Sequence, residues 1–177
     1  LASGLSMPVG FKNATDGSVK IAVDAVVAAR HEHTFMSVTK MGHVTIVHTR
    51  GNQDCHIILR GGHQPNYSKE DVEDACRALT AAGLDARLMI DLSHSNSQKQ
   101  YEKQLVAGDA VCKQVREGSE FICGVMVESN LVAGRQDLKD PHQLVYGQSV
   151  TDACLGMEDT AGLIEQLAQA VRARRAL

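Results

Sequence analysis

Three residues of the kinds that bind divalent metals each end an apolar run. His94 ends RLMIDLSH, Glu128 ends FICGVMVE and Asp152 ends the shorter SVTD. One imidazole and two carboxylates make a hard-to-borderline ligand set suited to Mn, Fe, Zn or Co, with room left for water or a substrate oxygen. The spacing is not a motif in itself. A histidine after a strand is more often a hydrogen-bonding loop residue, and a lone carboxylate often caps a helix, so placement alone leaves both readings open.

Two cations stop similar runs: Lys12 ends MPVGFK and Arg60 ends CHIILR. Facing one mouth, they would suit an anionic substrate, the arginine gripping phosphate in a forked pair. Gly61 and Gly62, next in the chain, allow close backbone approach to a ligand, although they equally suit a plain tight turn. Taken singly, either cation is a surface charge. Asp91 lies on the opposite face from His94 if strand alternation continues between them. For it, support of the site or of helix packing is as good a reading as catalysis. Asn66 and Tyr67 read as turn residues, and none of the remaining histidines sits where the strand-end rule predicts function.

These side chains need elements to position them. Each of the five charged stops lies at the C-terminal end of an apolar run, and helical patterns separate most of the runs. Asp16 is placed to cap a helix carrying Val19, Val23, Val26 and Val27. Ser68 with Asp71 makes a capping box ahead of Val72, Cys76 and Leu79, and Gly83 can end that helix. A third helix is expected over 98–116, with Leu105, Val111, Cys112 and Val115 inward. A fourth begins near Asp159 and buries Leu163, Leu167 and Val171. Strand and helix in alternation mean βα units and a largely parallel sheet. FMSVTKMGHVTIVHT, within 34–50, reads as an added β-hairpin. The polar stretch from Glu128 to Ser149 reads as a long functional loop. An open doubly wound sheet and part of an eight-stranded barrel are both compatible, because each gathers ligands at strand C-termini.

Composition narrows the classes. With 177 residues, 44% hydrophobic and 22% charged, the chain suits one domain, and a net charge of −3 argues against nucleic acid as a main partner. Aromatics at 3% with no tryptophan weaken any case for base stacking. No run is long enough to span a membrane. The five cysteines, Cys55, Cys76, Cys112, Cys123 and Cys154, form no C-x-x-C pair. They read as reduced core thiols of a cytoplasmic protein. Structured-looking sequence starts within a few residues of LASGLSMPVG, so a piece of a longer protein is expected.

GFKNATDG, HIILRGG with PNYS, MIDLSHSNS, GVMVESNLVAGRQ and SVTDACLGMEDT together resemble the microbial and fungal type of 3-deoxy-D-arabino-heptulosonate 7-phosphate (DAHP) synthase. The resemblance runs in order along essentially the whole chain. It implies a TIM-type (β/α)8 barrel of which residues 1–177 would be the C-terminal part, about strands 4–8 plus the hairpin. It also implies condensation of phosphoenolpyruvate with erythrose 4-phosphate, at the entry to the shikimate pathway, with a divalent metal. His94, Glu128 and Asp152 would then be metal ligands, and the family's cysteine ligand would precede residue 1. Lys12 and Arg60 would bind the phosphoenolpyruvate anion, and Arg135 would offer further charge to phosphate. Ser6, Ser37 and Val47 fall where the family builds an aromatic amino-acid effector site and subunit contacts. A homo-oligomer is implied, and so is an inactive fragment without the N-terminal part. The departures from the family pattern, Ala14, Leu92, Ser95, Asn130 and Met157, remove no metal ligand. The competing function is a phosphate-binding or structural module on an open sheet. A Schiff-base aldolase is a poorer fit, since no lysine is singled out for it.

Overall fold

The computed structural model describes residues 1–138 and 140–177. Four short strands form one parallel sheet: β1 (Val9–Lys12), β4 (Cys55–Leu59), β5 (Leu88–Asp91) and β6 (Ile122–Met126), in that order. The register pairs Lys12 with Ile58, Leu59 with Ile90, and Asp91 with Met126. All four strands therefore end along one edge, and whatever follows each strand is delivered to that edge.

Helices make the crossovers, as parallel pairing requires. They are α1 (Lys20–Arg30), α2 (Lys69–Ala81) and α3 (Lys103–Arg116), and a fourth helix, α4 (Met157–Arg174), follows the last strand. Their apolar stripes meet the sheet in a core that includes Val26, Ile57, Leu59, Val72, Leu79, Leu88, Ile90, Val111 and Leu163. Full burial of each such leucine or isoleucine stabilises the fold by ~1.5–3 kcal/mol. Helices α3 and α4 approach closely because residue 108 is glycine. A Cβ there would stand 2.5 Å from Leu163 Cδ1.

The expected capping box forms: Ser68 Oγ accepts from the Asp71 amide, and the Asp71 carboxylate accepts from the Ser68 amide. The hairpin is also present, as β2 (Thr34–Val38) antiparallel to β3 (Val44–His48).

Four local expectations are corrected. Asp16 does not cap α1; it accepts from Ser18 N at 2.8 Å in a turn, and the helix starts four residues later, at Lys20. The third helix starts at Lys103 rather than 98, because residues 92–102 wind into turns with Gln98 and Lys99 in the left-handed region. The polar segment after Glu128 is not structureless. It holds β7 (Val132–Arg135) parallel to β8 (Gln148–Ser149), pinned by the Gln136 side chain on Val145 and Gln148. Finally, SVTD is not a strand ending at Asp152. Ser149 Oγ accepts from Thr151 N at 3.2 Å and turns the chain just after β8.

Candidate metal centre

The bend after β5 brings His94 to the strand-end edge. His94 adopts φ +54°, a conformation that β-region alternation does not anticipate and that non-glycine residues avoid. Asn96 closes the bend. It is 2% exposed, donates to Asp91 O at 2.7 Å and to Leu59 O at 3.1 Å, and accepts from Asn66 N at 2.8 Å. The loop is thereby tied to the end of β4 and to the segment that follows it.

Glu128 is fixed from two directions. Buried Gln104 on α3 bonds both its amide and its carbonyl, and Ser93 Oγ donates to its Oε2 at 2.7 Å. Its other oxygen, Oε1, lies 3.6 Å from His94 Nε2. Asp152 joins them from the turn after β8. One ligand atom from each of His94, Glu128 and Asp152 lies within 4.8 Å of the others. His94 and Glu128 are half-buried, whereas Asp152 is exposed. A nitrogen and two carboxylate oxygens converging from three separate segments fit a divalent cation of intermediate hardness. Cys154 lies close in sequence but outside this group. Burial pushes its thiol up, Ser149 offsets part of that by hydrogen bonding, and the Glu128 and Asp152 carboxylates push it up further, so a thiolate is disfavoured there.

The group lines a cleft of about 250 Å³ together with Arg60, Ser97, Lys99 and Tyr101. Arg60 is positioned through its backbone: its amide donates to Asn13 Oδ1 at 2.8 Å, and Asn13 is 3% exposed. The glycines after it serve the packing of loops on one another. Gly61 has φ +80° with a Cβ position 2.7 Å from Asn96 N, and Gly62 lies against the Gly17 backbone.

Lys12 does not line the cleft directly. Its Nζ donates to Asp91 Oδ2 at 2.8 Å. Asp91 is fully buried and shares that same oxygen with His94 Nδ1, 2.7 Å away. The expectation that Asp91 and His94 face apart is corrected, since the chain leaves strand geometry directly after Asp91. Lys99 and Tyr101 on the cleft rim were not singled out in the sequence, because both sit within a stretch whose pattern reads as helix.

Arg135 is placed apart from the cleft lining, on β7, where it ion-pairs with Asp137. Ser6 and Val47 line a second cleft of about 450 Å³ with Thr49 and Asn52. Ser37 is on the adjoining strand, paired with Thr45. No helix among the described residues is long and apolar enough to cross a membrane.

Residues 1–165 match the family described as the DAHP synthetase I family. Over 175 residues the chain is 58% identical to the Escherichia coli protein named phospho-2-dehydro-3-deoxyheptonate aldolase, Phe-sensitive, covering 99% of this chain and 50% of that one. It is 51% identical over 174 residues to the Trp-sensitive aldolase of the same organism, covering 98% and 50%. A solved structure of phospho-2-dehydro-3-deoxyheptonate aldolase from Francisella tularensis superposes with a TM-score of 0.93 at 52% identity, covering 98% of this chain and 50% of that one. The chain spans about half the length of the curated relatives it matches.

Proposed function

The chain belongs to the DAHP synthetase I family, and from that membership we propose that it carries the metal centre and part of the anion site of a DAHP synthase. The reaction is condensation of phosphoenolpyruvate with erythrose 4-phosphate and water, giving the seven-carbon phosphate and inorganic phosphate. The observation that carries this reading is the convergence of His94, Glu128 and Asp152 within 4.8 Å at the strand-end edge, with Arg60 on the same cleft. In the barrel reading, the parallel sheet and the segment bearing Asp152 are strands 4–8 of a (β/α)8 enzyme, and residues 1–177 are its C-terminal part.

The roles come from the family resemblance, and the geometry supports them. His94, Glu128 and Asp152 would hold a divalent metal: Mn, Fe, Co or Zn. Such an ion supplies Lewis acidity toward an aldehyde oxygen. Arg60 presents its guanidinium to the phosphate or carboxylate of phosphoenolpyruvate, and Lys12 adds a second positive charge behind it. Both stabilise negative charge as it moves from the enol phosphate toward departing inorganic phosphate. Lys12, committed to Asp91 by an ion pair, acts through charge and not as a covalent nucleophile. Arg135 reaches phosphate in this scheme only if the β7–β8 segment turns it toward the cleft.

The second cleft, with Ser6, Val47 and nearby Ser37, is our candidate for an aromatic amino-acid effector site; relatives named Phe-sensitive and Trp-sensitive support this reading. The opposite hairpin face exposes Met36, Val38, Val44 and Ile46, which suits contact between subunits of a homo-oligomer. A cytoplasmic location goes with a biosynthetic role of this kind.

The test is a chimera in which residues 1–177 replace the corresponding stretch of the Escherichia coli Phe-sensitive relative. With Mn²⁺ and both substrates, the chimera is expected to release phosphate and form the seven-carbon product, while the 177-residue chain alone forms none. A folded, metal-loaded chimera without product would contradict the assignment, and product from the chain alone would contradict the need for further sequence.

A further inference from the structure

We propose that Asp91 is the positioning residue of the centre, its single buried carboxylate orienting the imidazole of His94 and the ammonium of Lys12 together. The inference rests on reading His94, Glu128 and Asp152 as a metal centre.

Asp91 ends β5 with no exposure to solvent. A carboxylate buried this deeply needs partners: it has two hydrogen-bond donors and a third nitrogen in close contact. Oδ1 accepts from Ser93 N at 2.9 Å, while Oδ2 lies 2.8 Å from Lys12 Nζ and 2.7 Å from His94 Nδ1. The partners come from two neighbourhoods: Lys12 ends β1, whereas His94 is in the bend after β5. Asp91 thus stands between the residue read as anion-binding and the residue read as metal-binding, behind both and away from the cleft.

The contact with His94 is short but poorly aligned for a hydrogen bond. Misalignment weakens the interaction but does not reverse its sign: beside a carboxylate oxygen an N–H is favoured over a lone pair. A lone pair on Nδ1 facing a carboxylate oxygen at 2.7 Å would be repelled, so the proton sits on Nδ1 and the lone pair on Nε2. Nε2 is the atom 3.6 Å from Glu128 Oε1, on the side where the three ligand atoms converge. A carboxylate behind a ligating imidazole fixes the tautomer and raises its basicity, and loss of such a partner typically weakens metal binding ~10–100-fold. The left-handed backbone at His94 is the local strain that swings the ring back over a residue three positions earlier. A role in core packing alone would need neither the shared oxygen nor that strain.

Two measurements test this. In the wild-type chain, nitrogen–proton correlation of the His94 ring, assigned by its loss in His94→Ala, is read well above the ordinary histidine pKa of ~6.5. It should show one tautomer, protonated at Nδ1; a ring protonated at Nε2 overturns the proposal without any variant of Asp91. Calorimetric titration with Mn²⁺ then compares wild type, Asp91→Asn and His94→Ala. Binding ~10–100-fold weaker in Asp91→Asn, with mixed His94 tautomers, supports the role. If His94→Ala abolishes binding while Asp91→Asn leaves it unchanged, the positioning role fails and the metal reading stands. If His94→Ala also leaves binding unchanged, the metal reading fails and the inference falls with it.

Discussion

Gln104 holds the backbone of Glu128 from both sides: its Nε2 donates to the Glu128 carbonyl at 3.0 Å, and its Oε1 accepts from the Glu128 amide at 2.9 Å. Gln104 is fully buried on α3. The helix after the His94 bend therefore fixes Glu128, which follows the next strand. Gln104→Leu would strand two backbone groups, at ~1–3 kcal/mol each. We expect urea unfolding to show a loss of ~2–6 kcal/mol and calorimetry to show weaker Mn²⁺ binding. A stability loss with unchanged metal affinity would mean that Gln104 serves the fold alone.

Gly62 packs on Gly17 with no room for a side chain. A Cβ would stand 2.4 Å from the Gly17 Cα and amide nitrogen, and backbone cannot swing aside as a side chain can. Gly62→Ala is expected to cost ~1–3 kcal/mol. For a chain of this size each kilocalorie lowers the melting temperature by ~2–4 °C. An unchanged melting temperature would show that the two loops are not locked together.

Ser68 and Asp71 satisfy the first turn of α2 reciprocally. Ser68→Ala is expected to lower stability by ~1 kcal/mol, read as a shift in the urea midpoint with the slope unchanged. Ser68→Asp should retain most of the stability, since aspartate caps equally well.

Burial pushes the Cys76 thiol up to about 11 from an ordinary value near 9, with nearby Cys123 adding to the shift. The folded state thus holds this proton more tightly than the unfolded chain does. The associated stability is fully present below pH ~9 and is lost as pH rises toward ~11. Unfolding midpoints of Cys76→Ser, compared with those of wild type between pH 8 and ~11, should show a smaller alkaline loss in the variant. Equal alkaline slopes would exclude this thiol as the source.

The sequence revealed the strand-end residues because apolar runs of fixed length stop abruptly at charge, and parallel pairing brings all such stops to one edge. His94, Glu128 and Arg60 came together on that basis, and the Ser68 box was read correctly because its partners are three residues apart. Asp91 was misplaced because alternation is valid only while the backbone stays extended. Nothing local in DLSHS announces a left-handed residue. Gln104 and Gln136 escaped notice for a related reason. Their work is long-range bonding to backbone, which leaves no period in the sequence. Asn13 and Asn96 are the same kind of residue, polar, nearly buried and spent on backbone groups of strand ends and loops.

The metal centre is tested by calorimetric titration of Mn²⁺ into the 177-residue chain and into the chimera, each compared with His94→Ala, Glu128→Gln and Asp152→Asn. We expect one ion per chain, with each substitution weakening binding at least ~10-fold and the folded state intact by circular dichroism. Binding that none of the three substitutions weakens, or no saturable binding even in the chimera, would contradict a metal centre at these residues.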